Sequence, residues 1–265
     1  VETGVSVSMP HEVLTEEAAD NGNPYDHRMT SVGSSPGPWS GDFLGVSYHG
    51  YAHSHLYALC HRFQFGTMYN GYSEDEVTAE GCAQLAITAF ANGIFGRGII
   101  MDFSRLRGVE WLENGTAITT EWLDEWLDEW LDEWDEEYGM TIGKGDIVLI
   151  RTGRWSRRES VGPWDLSQDS AGLHASAFAW FKERDIAIIG SDSALDVRPS
   201  GVPNFPQPAH ALVLVALGMP ILDNLDLKAA AEEAYLHERV EFLCKTAPLR
   251  VNGGTGSPLN PIATF

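Results

Sequence analysis

The sequence predicts one α/β or α+β domain. Two short, apolar, β-branched runs, IVLIRTG (147–153) and IAIIGSD (186–192), read as buried strands. Helical stretches alternate with them: HASAFAWFKER (174–184) and the start of DLKAAAEEAYLHERVEFLC (226–244). The chain has 265 residues, 43% hydrophobic and 21% charged, which is enough for a sizeable core with an ordinary surface.

Taken in order, residues 1–40 are rich in Gly, Pro, Asn and Ser and predict an irregular arm wrapped on a domain spanning 41–265. EVTAEGCAQLAITAFANG (76–93) predicts a helix closed by Asn92-Gly93. GIIMDFSRL (98–106) predicts a strand, and the turn from Gly143 to Asp146 introduces the strand at 147. AHALVLVALGM (209–219) is apolar throughout, so periodicity alone leaves it as helix or strand. The run from Asp226 to Cys244 begins as a helix and ends as a strand.

TEWLDEWLDEWLDEWDEEYG (120–139) repeats EWLD in tandem. Thr120 is placed to cap a helix whose first turn is acidic. Trp122, Trp126, Trp130 and Trp134 recur every four residues and drift by about 40° per step, and with Leu123, Leu127 and Leu131 they make one broad apolar face. The segment reads as a surface helix lengthened by repeat expansion, or as a docking helix.

The formal charge is −21, with ten acids and no base between residues 121 and 137. That balance excludes nucleic acid and acidic membrane surfaces as partners, because phosphates attract Lys and Arg clusters. No apolar run approaches the roughly 18 residues of a membrane span, and the first residues lack a secretory pattern. Cys60, Cys82 and Cys244 form no CxxC pair, which predicts neither a disulfide scaffold nor a zinc ribbon and suits a reducing, cytoplasmic setting.

The stretch HGYAHSHLYALCH (49–61) carries His49, His53, His55 and His61. If extended, all four share parity and point to one side. Histidine is the commonest metal ligand and the side chain that most readily moves protons near neutrality. A metal site also calls for a carboxylate, and this stretch holds none. Elsewhere, His174 is either a pocket residue or a surface one. Asp192, at a strand end, either faces a ligand or caps a turn. Arg97, Asp102 and Arg151 read as buried ion-pair partners.

SHLYALCH resembles the motif THxDAxxH of the cyclase-type hydrolases, the superfamily of bacterial kynurenine formamidase and isatin hydrolase. GTMYNGY, GIFGRGIIMDFSRL, KGDIVLIRTGRW, AGLHASAFAWFKERDIAIIGSD, AHALVLVALGMPILDNLDL and APLRVNGGTGSPLNPIATF continue the resemblance, in order, over roughly residues 24–265. It implies a single α/β domain of the swivelling β/β/α type, usually a homodimer or larger. It also implies hydrolysis of a small amide, cyclic amide or lactone by water on a divalent metal. Carried over by position, His55 and His210 are metal ligands and His61 handles protons. Asp223 stands where the family has Glu. Tyr51 falls on the first motif histidine, whose task His49 takes over. Tyr57 stands where the ligand Asp belongs.

The expectation is therefore one Mn²⁺ or Zn²⁺ held by His49, His55, His210 and Asp223, with His61 and Tyr57 catalytic. Tyr51, His53 and His174 are the pocket candidates for a small-molecule substrate. Two alternatives stand beside it. One is a metal-free cyclase, lyase or isomerase working through Tyr57 and His61; the other is a catalytically silent binding protein.

Overall fold

The computed structural model describes residues 1–134 and 141–265. A nine-stranded sheet forms its centre. In chain order the strands are β1 (Ser6–Ser8), β2 (His55–Tyr57), β3 (Ile94–Asp102), β4 (Ile147–Arg151), β5 (Ile188–Ser191), β6 (Ile221–Asp223), β7 (Glu241–Thr246), β8 (Gly256–Pro258) and β9 (Ile262–Thr264). Their spatial order is β1-β9-β7-β3-β4-β5-β6-β2-β8. The four central strands, β3 to β6, run parallel, and every outer pairing is antiparallel. The parallel strands are apolar runs, as burial on both faces requires: Val148, Leu149, Ile150 and Ile189 are fully buried. The mixed sheet and its helices bear out an α/β domain of the expected type.

Five helical segments matter for the site. They are α1 (Thr120–Trp134), α2 (Arg154–Val161), α3 (Ala177–Glu183), α4 (Pro208–His210, continuing in wide turns over Ala211–Leu217) and α5 (Lys228–Leu236). The ambiguous run at 209–219 is thus helical, and Gly218 ends it with a left-handed φ of 66°. Leu123, Trp126 and Trp130 of α1 are buried, and Trp180 Nε1 on α3 donates to Asp124 at 2.7 Å, so the EWLD helix packs on the domain. Thr120 is its first helical residue and donates to the Ser176 carbonyl. The side chains of Leu131 and Trp134, and the end of the repeat at 135–139, lie outside the described residues.

Three expectations are corrected. Residues 76–93 are not one helix. Val77–Thr78 and Gly81–Cys82 form a small hairpin, followed by a 3-10 turn at Ile87–Phe90. Gly81 has φ +114°, and a Cβ there would lie 2.7 Å from the Gly253 carbonyl oxygen, so the chain is bent to meet the 253–255 loop. Cys60 and Cys82 are joined in a disulfide, which removes the basis for a reducing setting; Cys244 is free and buried. The arm at 1–40 is not wholly irregular. It supplies β1, and Asp26–Ser31 pairs with Gly41–Gly45. Among the described residues no helix is long and apolar enough to cross a membrane.

Candidate active site

Sheet register builds the site. In the β2–β6 pairing, His55 lies opposite Asp223 and Leu56 opposite Leu222. Side chains alternate along a strand, so Tyr57 shares the face of His55 and Asp223. The chain then turns through a 3-10 turn at Leu59–His61, which returns His61 toward the same face. His49 reaches it from the preceding loop, with Nε2 2.9 Å from Thr255 Oγ1. Gly256 makes room: a Cβ there would be 3.0 Å from His49 Cε1 and 2.6 Å from the Leu56 carbonyl oxygen.

The rings pack closely. His49 stacks on His61 with centroids 4.1 Å apart and planes 19° from parallel. Tyr57 touches all four histidines of the group: His61 at 4.3 Å, His55 at 4.4 Å, His49 at 5.2 Å and His210 at 5.4 Å. His210 arrives from the start of α4, where Asp196 accepts from the Ala209 N–H at 2.7 Å and bonds His210 Nδ1 at 2.6 Å. One carboxylate therefore caps the helix and fixes the imidazole. His210 Nε2 lies 3.3 Å from Asp223 Oδ2, an ion-pair distance without hydrogen-bond geometry, since neither Asp223 oxygen has a hydrogen-bond partner.

Electrostatics divide the histidines. Burial lowers the pKa of His55 to about 3 and of His49 to about 4. Burial, together with repulsion from His49 and His210, lowers His61 to about 2. All three are neutral at ordinary pH. Burial also lowers His210, but its bonds to Asp196 and the charge of Asp223 outweigh it and raise the pKa to about 9. His210 is thus the protonated member. Burial raises Asp223, and the facing imidazolium offsets part of that. Burial, and then Asp223, hold Tyr57 well above the usual phenol value, so it stays a neutral O–H donor.

Of the nine residues expected in the site, six converge: His49, His55, Tyr57, His61, His210 and Asp223. Tyr51 flanks them; burial raises its pKa, with Asp223 and Asp196 close enough to add to the rise. His53 departs. Its Nε2 is 2.8 Å from the Asn23 carbonyl and its ring packs edge-on against Tyr25, because β2 begins only at His55 and the parity rule does not extend back to it. Its carbonyl nonetheless accepts from His55 Nδ1 at 2.7 Å, which leaves His55 Nε2 as the bare nitrogen. His174 also departs, bonding Ser176 beside Gly201. Asp192 caps: it accepts from Thr152, Gly153 and Arg154 N–H groups. Arg97 pairs with Asp146 and Arg151 with Asp102, so the expected pairing holds, although Arg97 is exposed rather than buried.

Two residues were not foreseen. Asp196 is one, although an acid fourteen residues before His210 was there to be weighed. Arg198 is the other: half-buried, it has no carboxylate partner among the described residues and lies 3.4 Å from Tyr51 Oη. It lines a cleft of about 450 Å³ together with Ser167, Ser200, Val202, Asn204 and Phe205. A larger cleft of about 610 Å³ lies elsewhere, between Asp102, Arg151 and α5, and includes none of the histidines. None of the histidines lines the smaller one either; its link to the site is Arg198, beside Tyr51.

A divalent ion fits this arrangement poorly. His55 Nε2 and both Asp223 oxygens are buried without hydrogen-bond partners, as ligand atoms would be. His49 Nδ1 is buried without a partner as well, but the geometry of the rings is less favourable. His49 directs Nε2 to Thr255 and lies face to face with His61, so the in-plane lone pairs of those two rings run side by side rather than meeting. The Tyr57 ring lies among the donors, and among the described residues no three His, Cys, Asp or Glu side chains are placed to hold one ion.

The family model for cyclases matches residues 24–195, well over half of the chain. The chain belongs to the cyclase family. A solved structure described as a novel cyclase is 25% identical, with TM-score 0.85 over all of this cyclase-family chain and 88% of its own. Isatin hydrolase A from Labrenzia aggregata, solved with benzyl benzoate, is 20% identical, with TM-score 0.66 over 98% of this chain and 93% of its own. A predicted metal-dependent hydrolase from Bacillus stearothermophilus is 13% identical, with TM-score 0.58 over 98% of each chain. The last two likenesses are of fold. No curated protein sequence matches the chain.

Proposed function

We propose that this cyclase-family chain is a hydrolase that opens a small amide, cyclic amide or lactone by acid–base catalysis between His61 and the His210–Asp196 pair. The observation that carries the reading is geometric: His61 and His210 both pack on Tyr57, and Asp196 bonds His210 Nδ1 at 2.6 Å, which favours its protonated form, while burial favours neutral His61. Pairs of groups whose environments push their pKa values apart mark acid and base roles. The isatin hydrolase among the structural neighbours supports the substrate class at the level of family.

In this scheme His61 accepts a proton from water as the water oxygen attacks the carbonyl carbon. The low proton affinity of His61 belongs to the free site, where His49 and His210 crowd it. The oxyanion that forms on attack adds negative charge beside His61, and raises that affinity as the step proceeds. The carbonyl π bond opens onto oxygen, beside the His210 imidazolium and the Tyr57 phenol. Collapse breaks the C–N or C–O bond, the leaving atom takes its proton from His210, and the cycle closes as His61 releases its proton to solvent and His210 regains one. Asp196 holds His210 in place throughout and does not itself transfer the proton. No step is assigned to Mn²⁺ or Zn²⁺, because among the described residues no three His, Cys, Asp or Glu side chains are placed to hold one ion.

The test is acid release from a panel of isatin, N-formyl anilides and aryl lactones. Hydrolysis of one class supports the reading; a folded protein that opens none of them contradicts it. Arg198 adds a selectivity to the panel. A hydrogen bond to a charged group contributes about 1.5–3 kcal/mol, so Arg198→Met should raise KM about tenfold to a hundredfold for substrates carrying a carboxylate. KM for neutral analogues should stay within about twofold, on the same scale. Equal effects on both series would remove Arg198 from substrate recognition.

A further inference from the structure

The position of Tyr57 among the histidines has a geometric consequence. A histidine holds a divalent ion about 2.0–2.1 Å from its ring nitrogen, along the lone pair in the ring plane. The space into which such lone pairs would converge must be free of other atoms. Here the six-membered ring of Tyr57 contacts His49, His55, His61 and His210, with centroid distances of 4.3–5.4 Å. It is 5% exposed, and its backbone is fixed by its strand: it pairs with Gly256 on β8, and His55 two residues before it pairs with Asp223 on β6. Burial among those four rings, rather than the strand pairing itself, holds the ring in the space an ion would need.

We propose that Tyr57 takes the place of the ion: its ring fills the space between the donors, and its hydroxyl polarises the substrate carbonyl that a Lewis acid would otherwise polarise. The role of the hydroxyl rests on the hydrolase reading above; the exclusion of the ion does not. His49 Nδ1, His55 Nε2 and the Asp223 oxygens, buried without hydrogen bonds, surround the Tyr57 ring, with Asp223 ion-paired to His210. His55 and Asp223 share one face of the β2–β6 pair with that ring. The chemistry balances without a further reactant. The Tyr57 O–H donates a hydrogen bond to the developing oxyanion and keeps its proton, while water supplies the nucleophile and its proton passes to His61.

The deciding experiment measures ion binding, not turnover. Full-length chain purified without a histidine tag is titrated with Mn²⁺ and with Zn²⁺ by calorimetry, and its metal content is read by elemental mass spectrometry. The unaltered protein should bind neither ion at a saturable site dependent on His55. Tyr57→Asp should gain one such site and lose it again in the double variant with His55→Ala. If Tyr57→Asp does not fold, Tyr57→Ala, which only empties the space, carries the same expectation. One ion per unaltered chain, lost on His55→Ala, would overturn the proposal. So would folded Tyr57→Asp or Tyr57→Ala protein that binds nothing. With a hydrolysed substrate in hand, chelator should leave the rate unchanged and Tyr57→Phe should lower kcat about 10²-fold, the size of a lost oxyanion donor. A rate lost to chelator overturns the proposal and leaves the hydrolase reading standing; absence of any hydrolysis sinks that reading and leaves the ion measurement intact.

Discussion

His61→Ala is expected to lower kcat/KM by about 10²–10⁴-fold for any amide or lactone the protein opens, the range found for loss of a positioned acid or base. The effect should fall mainly on kcat, since His61 takes its proton in the step and not on binding. The residue is suited to a clean test. It is half-buried at the end of a 3-10 turn and stacks on His49 at 4.1 Å, without a structural hydrogen bond of the kind that holds His55 or His210. Truncation should therefore leave the fold intact, which a thermal melt checks alongside the kinetics. A variant that melts like the parent and turns over at its rate would remove His61 from the reaction.

The largest expected loss of stability comes from a different place, Asp20→Ala. Arg154 is 3% exposed, and its Nη2 lies 3.0 Å from Asp20 Oδ2. Arg158 Nε reaches the same oxygen at 2.6 Å. Burial already lowers the proton affinity of Arg154 to about 10, with Asp20 and Asp192 opposing the fall. Removing Asp20 leaves a guanidinium in the interior without its nearest counter-charge, which costs about 3–5 kcal/mol when one partner of a buried pair is deleted. At about 2–4 °C per kcal/mol for chains of this size, the melting point should drop by roughly 6–20 °C. Arg154 also donates to the Tyr51 carbonyl, so the same change should loosen the loop that flanks the histidines. A loss below about 1 kcal/mol in urea denaturation, the scale of an exposed pair, would show that water reaches Arg154 in solution.

These two residues show how unevenly the molecule could be read. Strands at 147–153 and 186–192 were legible because parallel strands buried on both faces are continuous apolar runs. The helix-to-strand change after Asp226 was legible because Lys228–Leu236 is rich in Ala and Glu and precedes the run EFLCKT, which lacks that composition and buries alternate residues. Periodicity failed at 76–93, where alanines suggest a helix but Gly81 must pass close to Gly253 and Cys82 is tied to Cys60. Both constraints are non-local. The same holds for the site. His49, His55 and His61 stood together in the sequence, whereas the pairing of His55 with Asp223 spans two distant strands. Only family resemblance pointed to His210 and Asp223. Asp196 lies between β5 and α4 in a segment with no periodic pattern, so nothing local marked it as the group that orients His210. Asp20 lay in an arm expected to be irregular, and its burial follows from Arg154 and Arg158 on α2.

The central claim is that one imidazole of the cluster stays protonated through neutrality while its neighbours stay neutral, and side-chain ¹⁵N NMR reads that directly against pH. His210 should titrate near 9 and should return toward the ordinary value near 6.5 in Asp196→Asn. His49, His55 and His61 should remain neutral from pH 9 down to about 5. Linkage fixes the matching stability profile. The His210 value is raised on folding, so its contribution is complete below about pH 6.5 and is lost as pH climbs through 9. His55 is lowered on folding, so stability falls below about pH 6.5, by about 1.4 kcal/mol per pH unit for that one proton. Four histidines all titrating between pH 6 and 7 would contradict the account, because no acid and base would then be held apart in the site.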